Sequence, residues 1–316
     1  MTSLFLRRMG FAAFTIAFVS MVMFAAVEAL PGNVCTSFLQ RFAQGPRLER
    51  CIEQQGLDRS AVVRYGDWIS AAVQGDFGYS LKKRKPINEL IWDRFRNTMI
   101  LGGIAALLAI PFAILLGIAA GVRRDKPLDL SLSGAAMLAM TIPEFVTATA
   151  LIYVFAITLQ WFPAVTIVPP GASFAQMLPN IVLPVLVLSA VLIAHIMRMV
   201  RASVIDAMSS DYVQMARLKG VPERQIIRRH AVPNAMIPAL NVIALTIAWL
   251  LAGVVVVEKV FNYPGLGTLM IEAIHDRDLP LVQSIALIFS AIYVAVNLIA
   301  DLAALALDPR QRRKGH

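Results

Sequence analysis

Charge is scarce in this chain. Only 16% of its 316 residues are Asp, Glu, Lys or Arg, while 58% are hydrophobic and the mean hydropathy is +0.68. An ordinary soluble domain carries roughly 25% charged residues. The scarcity is uneven: Met9–Val27, Asn97–Val122, His230–Val257 and Leu279–Ala300 hold none of the four, and neither do residues 145–197. Soluble core helices are shorter and keep a polar face, whereas a bilayer-spanning helix needs about 20 predominantly apolar residues. These runs exclude a water-soluble protein and predict an all-α membrane protein. Other scarcities exclude chemistry. The four histidines (His195, His230, His275, His316) are scattered without metal-ligand spacing, so no metal site is expected. No GxxxxGK[ST] phosphate loop occurs, and the glycine clusters GDFG and YPGLG fall on the wrong side of the membrane for a nucleotide. No nucleophile–base set stands out, so neither a catalytic site nor a cofactor bound by this chain is expected.

What is present organises around the apolar runs. The stretch from Phe145 is too long for one crossing and is broken by WFPAVTIVPPGAS, where Pro163, Pro169, Pro170 and Gly171 mark a turn. Six transmembrane helices follow, at about 9–30, 98–122, 131–160, 180–200, 236–257 and 281–306. The first run exceeds the 7–15 apolar residues of a signal peptide, and only VEA at 27–29 resembles a cleavage site, so it is read as a retained span. Arg7 and Arg8, the GVRRDKPLD link, the 201–230 block and the closing RQRRK all fall on one side if spans alternate. The opposite short connections hold only Lys259 and Arg277. Positive-inside bias then places both termini in the cytoplasm. The net charge of +9 needs no nucleic acid, because topology and anionic headgroups account for it. The expected division is an N-terminal transmembrane helix (1–30), an extracytoplasmic loop subdomain (31–97), a core (98–306) with a cytoplasmic loop at 201–235, and a cytoplasmic tail (307–316).

The 31–97 loop carries eleven Lys or Arg, which does not prevent export of a long loop. It predicts an amphipathic helix within DRSAVVRYGDWISAAVQGDFGYS, then a second helix near Pro86 leading to the second span. KKRK at 82–85 is read as a solvated face in preference to a site for an acidic partner. Both cysteines, Cys35 and Cys51, lie in this loop, in a compartment where disulfides persist. They are either a bridge, closing a loop worth on the order of 3 kcal/mol, or two unrelated thiols.

The densest polar block lies between two apolar runs: DYVQMARLKGVPERQIIRRHAVPNA, from Asp211. Asp211 stands where an N-cap belongs, YVQMARLK follows as a compact helix, and Gly220 supplies a left-handed helix end. Pro222 suits the first turn of a second helix, with Glu223 near its positive end and Arg228 and Arg229 near its negative end. Pro233 and Pro238 are expected to stop that helix before the fifth span. The pattern is a projecting helix–Gly–helix knob, with Tyr212, Met215, Leu218 and Ile226 available for docking; the plainer alternative is a loop that only satisfies positive-inside bias.

This block resembles the cytoplasmic signature of bacterial ABC importer permeases, a Glu-Ala-Ala, three residues, Gly, then nine to twelve residues and Leu-Pro. Gln214, Met215 and Ala216 occupy the Glu-Ala-Ala places, Gly220 the glycine, and Val232-Pro233 the Leu-Pro. Only the second alanine, the glycine and the proline match literally, but DYVxxARxKG, with Asp211, Tyr212 and Arg217, is similar to the form used by the dipeptide/oligopeptide branch. LPGN at 30–33, GDFGYS at 75–80, TIPEF at 141–145, VVVVEKVFNYPGLG at 254–267 and ADLAALALDPR at 300–310 resemble the same branch in order. The resemblance implies a type I ABC importer permease fold and one half of a heterodimer with a related permease. It also implies two ATPase subunits, which use ATP and Mg, and an extracytoplasmic substrate-binding protein. The 211–233 knob would couple to an ATPase. The cargo would be a di- or oligopeptide, with nickel, glutathione or an opine as alternatives within the branch.

Polar residues inside spans are functional candidates by default. Glu144, beside Pro143 in the third span, either meets a substrate amine on the translocation path or pairs with a neighbouring helix. His195 and Arg198 lie toward the cytoplasmic end of the fourth span; they either gate the path or, for Arg198, reach the headgroups. Asp301 is expected to pack against a neighbour. GIAAG at 117–121 allows close helix approach. Two other classes predict different behaviour: a membrane enzyme built on Glu144, His195 and Arg198 acts alone, and a non-transporting scaffold tolerates loss of the knob.

Overall fold

The computed structural model describes residues 2–29, 32–39, 42–167 and 174–307. Leu30 and Pro31 of LPGN, the turn residues Pro169, Pro170 and Gly171, the 308–316 tail and the Asp301 side chain lie outside the described residues. The chain is helical almost throughout: α1 (Thr2–Glu28), α2 (Val34–Leu39), α3 (Pro46–Gln54), α4 (Ala61–Val73), a two-residue hairpin β1 (Tyr79–Ser80) and β2 (Lys85–Pro86), then α5 (Ile87–Val122), α6 (Pro127–Thr141) and α7 (Glu144–Leu151). A π-helical stretch (Ile152–Thr158) extends α7. There follow α8 (Phe174–Met208), α9 (Asp211–Leu218), α10 (Glu223–Ile226), a π turn (Ile227–Ala231), α11 (Val232–Val260), α12 (Leu266–His275) and α13 (Leu279–Leu307). Among the described residues four single helices are long and apolar enough to cross a membrane, and the count reaches six if two bent pairs each make one span.

The chain forms two compact units. In the unit built on Leu6–Thr98 and Pro264–Ala295, the disulfide Cys35–Cys51 joins α2 to α3, with the Cα atoms 5.8 Å apart. The expected amphipathic helix is α4, held to α1 by an aromatic cluster of Phe24, Tyr65 and Trp68, a Ser20–Tyr65 hydrogen bond of 2.8 Å and the Arg64–Glu28 ion pair. Two departures from expectation appear here. The connection expected between the fifth and sixth spans contains α12, whose Leu266, Leu269 and Ala273 share a core with Ile87, Ile91, Leu281 and Ile285. KKRK is not wholly solvated, because Lys83 pairs with Glu272 at 2.8 Å. α5 runs unbroken from Ile87 to Val122, and the two compact units divide within it at Thr98/Met99.

The unit built on Met99–Tyr263 is organised by α8, longer at both ends than the expected 180–200 span and buried along much of its length despite Pro179 and Pro184 within it. One apolar cluster gathers Leu101, Ala105, Ile181, Leu188, Leu192, Val257 and Phe261; a second gathers Ala113, Ala120, Val200, Val204, Val213, Ile226 and Ala235. The GIAAG segment does bring two backbones together. A Cβ on Gly117 would lie 2.8 Å from the Met197 carbonyl oxygen, and one on Gly121 3.0 Å from that of Arg201. Just past the end of α11 at Val260, Asn262 lies in the left-handed region at φ 51°; Tyr263 N donates to Glu258 O (2.8 Å), and the asparagine of VFNYPG takes the place glycine usually fills.

The third span is not a kinked rod. α6 ends at Thr141, Ile142 and Pro143 turn extended, and α7 leaves at 103° to α6. Pro143 forces this break because its ring disfavours helical geometry in the residue before it.

Candidate functional site

The knob grows directly out of α8. After Ser209 and Ser210 the chain re-enters helix as α9, with Ser210 as the N-cap residue and Asp211 as the first helical residue, so Asp211 is not the cap that its position suggested. α9 faces two ways. Val213 and Ala216 are buried in the cluster with Val200, Val204 and Ala207, while Tyr212, Met215 and Leu218 are 43%, 54% and 82% exposed. Those three recur at helical spacing and form an apolar face turned away from the chain's own core. Ile226, expected to join them, is instead fully buried, and the knob docks inward through it.

Gly220 ends α9 with φ +74°. Gly220 N donates to Arg217 O (2.9 Å) and Val221 N to Ala216 O (3.1 Å). This paired arrangement is the Schellman motif, which satisfies carbonyls a helix end would otherwise leave open. Across the same turn Arg217 makes a two-pronged contact with Glu223, Nη2 to Oε1 at 2.6 Å and Nε to Oε2 at 3.1 Å, and that hydrogen bond raises the guanidinium pKa. Gln214 donates back to Ser209 O at 3.3 Å. The knob is therefore a braced turn.

Pro233 and Pro238 do not stop the second helix. Pro233 lies in the first turn of α11 and Pro238 inside it, and the helix continues to Val260 with a 42° bend. A proline lacks the N–H for its i−4 carbonyl and crowds that carbonyl. The π turn at Ile227–Ala231 supplies the local re-registration that accommodates such a misfit.

Glu144 is the first residue of α7, at the break and not in mid-helix. Its carboxylate lies against α11 at Gly253: a Cβ there would sit 2.7 Å from Oε1 and 2.8 Å from Oε2. Among the described residues Glu144 has no hydrogen bond or ion pair, so the neighbouring-helix partner is not found there. His195 is half-buried on α8, its ring edge-on to Trp249 at 5.9 Å. Trp249 and Gly253 are one turn apart on α11, which puts both candidates along one face of that helix. Arg198 is exposed and contacts Met140 Sδ at 3.6 Å.

Nothing in local spacing announces one heavily bonded carboxylate of this unit. Asp129, fully buried at the start of α6, accepts from Arg201 Nε and, at 2.7 Å, Arg201 Nη2, from Asp125 N at 2.9 Å and from Ser133 Oγ at 3.2 Å. Glu258 on α11 is also fully buried and partnered. The unit containing α1 and α4 has a half-open cleft of about 490 Å³, lined by Glu28, Arg59, Arg64, Asp67, Trp68 and Tyr79 among others.

Comparison with known proteins places this geometry in a family. Residues 113–313 match the model of the binding-protein-dependent transport system inner membrane component. The glutathione transport system permease protein GsiC of Escherichia coli K12 is 36% identical over 300 residues, covering 95% of each chain. A protein of Brucella suis biovar 1 with the provisional name of a peptide permease is 35% identical over 296 residues, covering 92% of this chain and 93% of its own. In fold, the crystal structure of an amino acid ABC transporter superposes with a TM-score of 0.53 at 16% identity, covering 69% of this chain and 94% of that one. The chain belongs to the binding-protein-dependent transport system inner membrane components: it is a permease of the ABC importer class.

Proposed function

We propose that this chain forms half of the translocation path of an ATP-driven importer of di- or oligopeptides and takes its power stroke through the 211–233 knob. The observation that carries the reading is the two-sided α9. Val213 and Ala216 anchor it in the core, while Tyr212, Met215 and Leu218 present an apolar face that stays exposed among the described residues. A lever needs a rigid root and a docking face, and the Gly220 turn braced by Arg217 and Glu223 supplies the rigidity. The proposed partners are a second, related permease, two ATPase subunits that bind ATP and Mg, and an extracytoplasmic substrate-binding protein. Both termini face the cytoplasm, Cys35–Cys51 lies outside it, and Glu144 and His195 line the path along α11.

Glutathione is the second reading for the cargo, favoured by the 36% identity to a glutathione permease. It is itself a tripeptide, so both readings ask the path to pass a short zwitterionic peptide. The test is purification of the tagged chain in mild detergent with its co-purifying subunits, followed by reconstitution and uptake of labelled dipeptides and labelled glutathione. Recovery of a second permease and two ATPases with ATP-dependent dipeptide uptake is expected. Uptake of glutathione alone selects the second reading, and recovery of this chain with no ATPase overturns both.

A further inference from the structure

The structure assigns a mechanical role to the Asp129–Arg201 pair: it is the joint through which movement of the knob reaches the broken third span. This rests on the coupling reading of the knob. Three helices meet at Arg201. Its guanidinium grips Asp129 of α6, its backbone carbonyl receives the close approach of Gly121 on α5, and it lies on α8 seven residues before that helix ends at Met208. Three residues beyond that end α9 begins, rooted by Val213 and Ala216 in the same apolar cluster as Val200 and Val204. On the other side, Asp129 sits in the first turn of α6, whose far end turns through 103° into α7 and Glu144.

The chemistry suits a joint better than a simple contact. Apolar surfaces can slide over one another, but a guanidinium fork on a carboxylate fixes angle as well as distance. Asp129 is further held by the Asp125 amide and the Ser133 hydroxyl, so the carboxylate has little freedom to follow Arg201 by rotating alone. A displacement of α8 is therefore passed to α6 as a whole. Asp129 and Arg201 are positioning residues, acting on the path through α6 and α7.

The discriminating variant replaces both partners with apolar residues, Asp129→Leu with Arg201→Met. Removing a buried pair together leaves no uncompensated charge and is often tolerated by the fold. Arg201→Lys, which keeps the charge and loses the fork, is made alongside, with Leu218→Asp as a probe of the knob face. Each is assembled into the full complex in proteoliposomes. ATP hydrolysis, uptake of the substrate the parent imports, and the nucleotide-dependent distance between spin labels at Leu138 and Lys219 are measured. Both labelling positions are exposed, and neither is one of the apolar residues of the knob face.

The expected result is an assembled double variant that hydrolyses ATP but imports less per ATP, by on the order of fivefold or more. The Leu138–Lys219 distance should broaden and respond differently to nucleotide, with Arg201→Lys intermediate. Parent uptake per ATP with an unchanged distance overturns the proposal. So does failure of both variants to assemble, which marks the pair as purely structural. If Leu218→Asp is uncoupled while the double variant is normal, only the joint is wrong. If Leu218→Asp imports normally, the coupling reading itself fails.

Discussion

At Gly121 the separation of two helices is set by a missing methyl group. A side chain there would meet Val204 Cβ at 2.8 Å and the Arg201 carbonyl oxygen at 3.0 Å, and backbone cannot yield as a flexible side chain can. Gly121→Leu should therefore push α5 off α8, at a cost of about 1–3 kcal/mol or more, read as a lower thermal midpoint in detergent. Gly103, on the same helix with nothing within 4 Å of its would-be Cβ, is the control, and its alanine variant should keep the parent midpoint. Gly253 has a different use, because the space it leaves is taken by a carboxylate. Gly253→Ala would put a methyl within 2.7 Å of Glu144 Oε1 and displace that group without touching its charge. If Glu144 serves the path, Gly253→Ala and Glu144→Gln should both change uptake of the transported peptide while leaving membrane insertion intact. Normal uptake in both would remove Glu144 from the path.

Among elements, the knob is the one whose sequence speaks most directly. Gly220 at φ +74° is where a left-handed residue costs least. Gly220→Ala should cost about 1–2 kcal/mol and lower the thermal midpoint modestly. Gly220→Pro removes the N–H bonded to Arg217 O and demands φ near −65°; it should leave the complex assembled and abolish ATP-driven uptake. The charge-free runs were equally legible, since hydropathy over 20 residues outweighs local detail. Other elements were not. α12 has only 10 residues and reads as a connection because it is shorter than any span. Pro233 and Pro238 suggested a stop, but the proline rule describes an isolated helix and takes no account of a π turn beside it. Ile226 lies on a periodic apolar pattern that gives spacing without saying which face the core will claim. Asp129 and Arg201 are 72 residues apart, beyond anything local spacing can link.

On the scale of the whole molecule, the number of crossings and the side on which the knob works are one question. Each arm of the broken third span is too short alone: α6, with 15 residues, reaches about 22 Å, against a hydrocarbon core of about 30 Å. If the two arms together cross, α8 begins outside and returns inward, and the knob meets cytoplasmic ATPases. If the pair re-enters and leaves on the same side, every later segment changes sides, and the knob at 211–233 is exported where no ATP exists. Coupling through the knob therefore requires the broken pair to cross. Single cysteines decide it in a Cys35→Ser, Cys51→Ser background. Val73→Cys, on the exposed side of α4, and Leu218→Cys, at the tip of α9, are each challenged with a membrane-impermeant thiol reagent. Val73→Cys should react in intact cells, and Leu218→Cys only after the membrane is opened. Reaction of both in intact cells would place the knob outside, make the third span a re-entrant loop, and leave Tyr212, Met215 and Leu218 without an ATPase to meet.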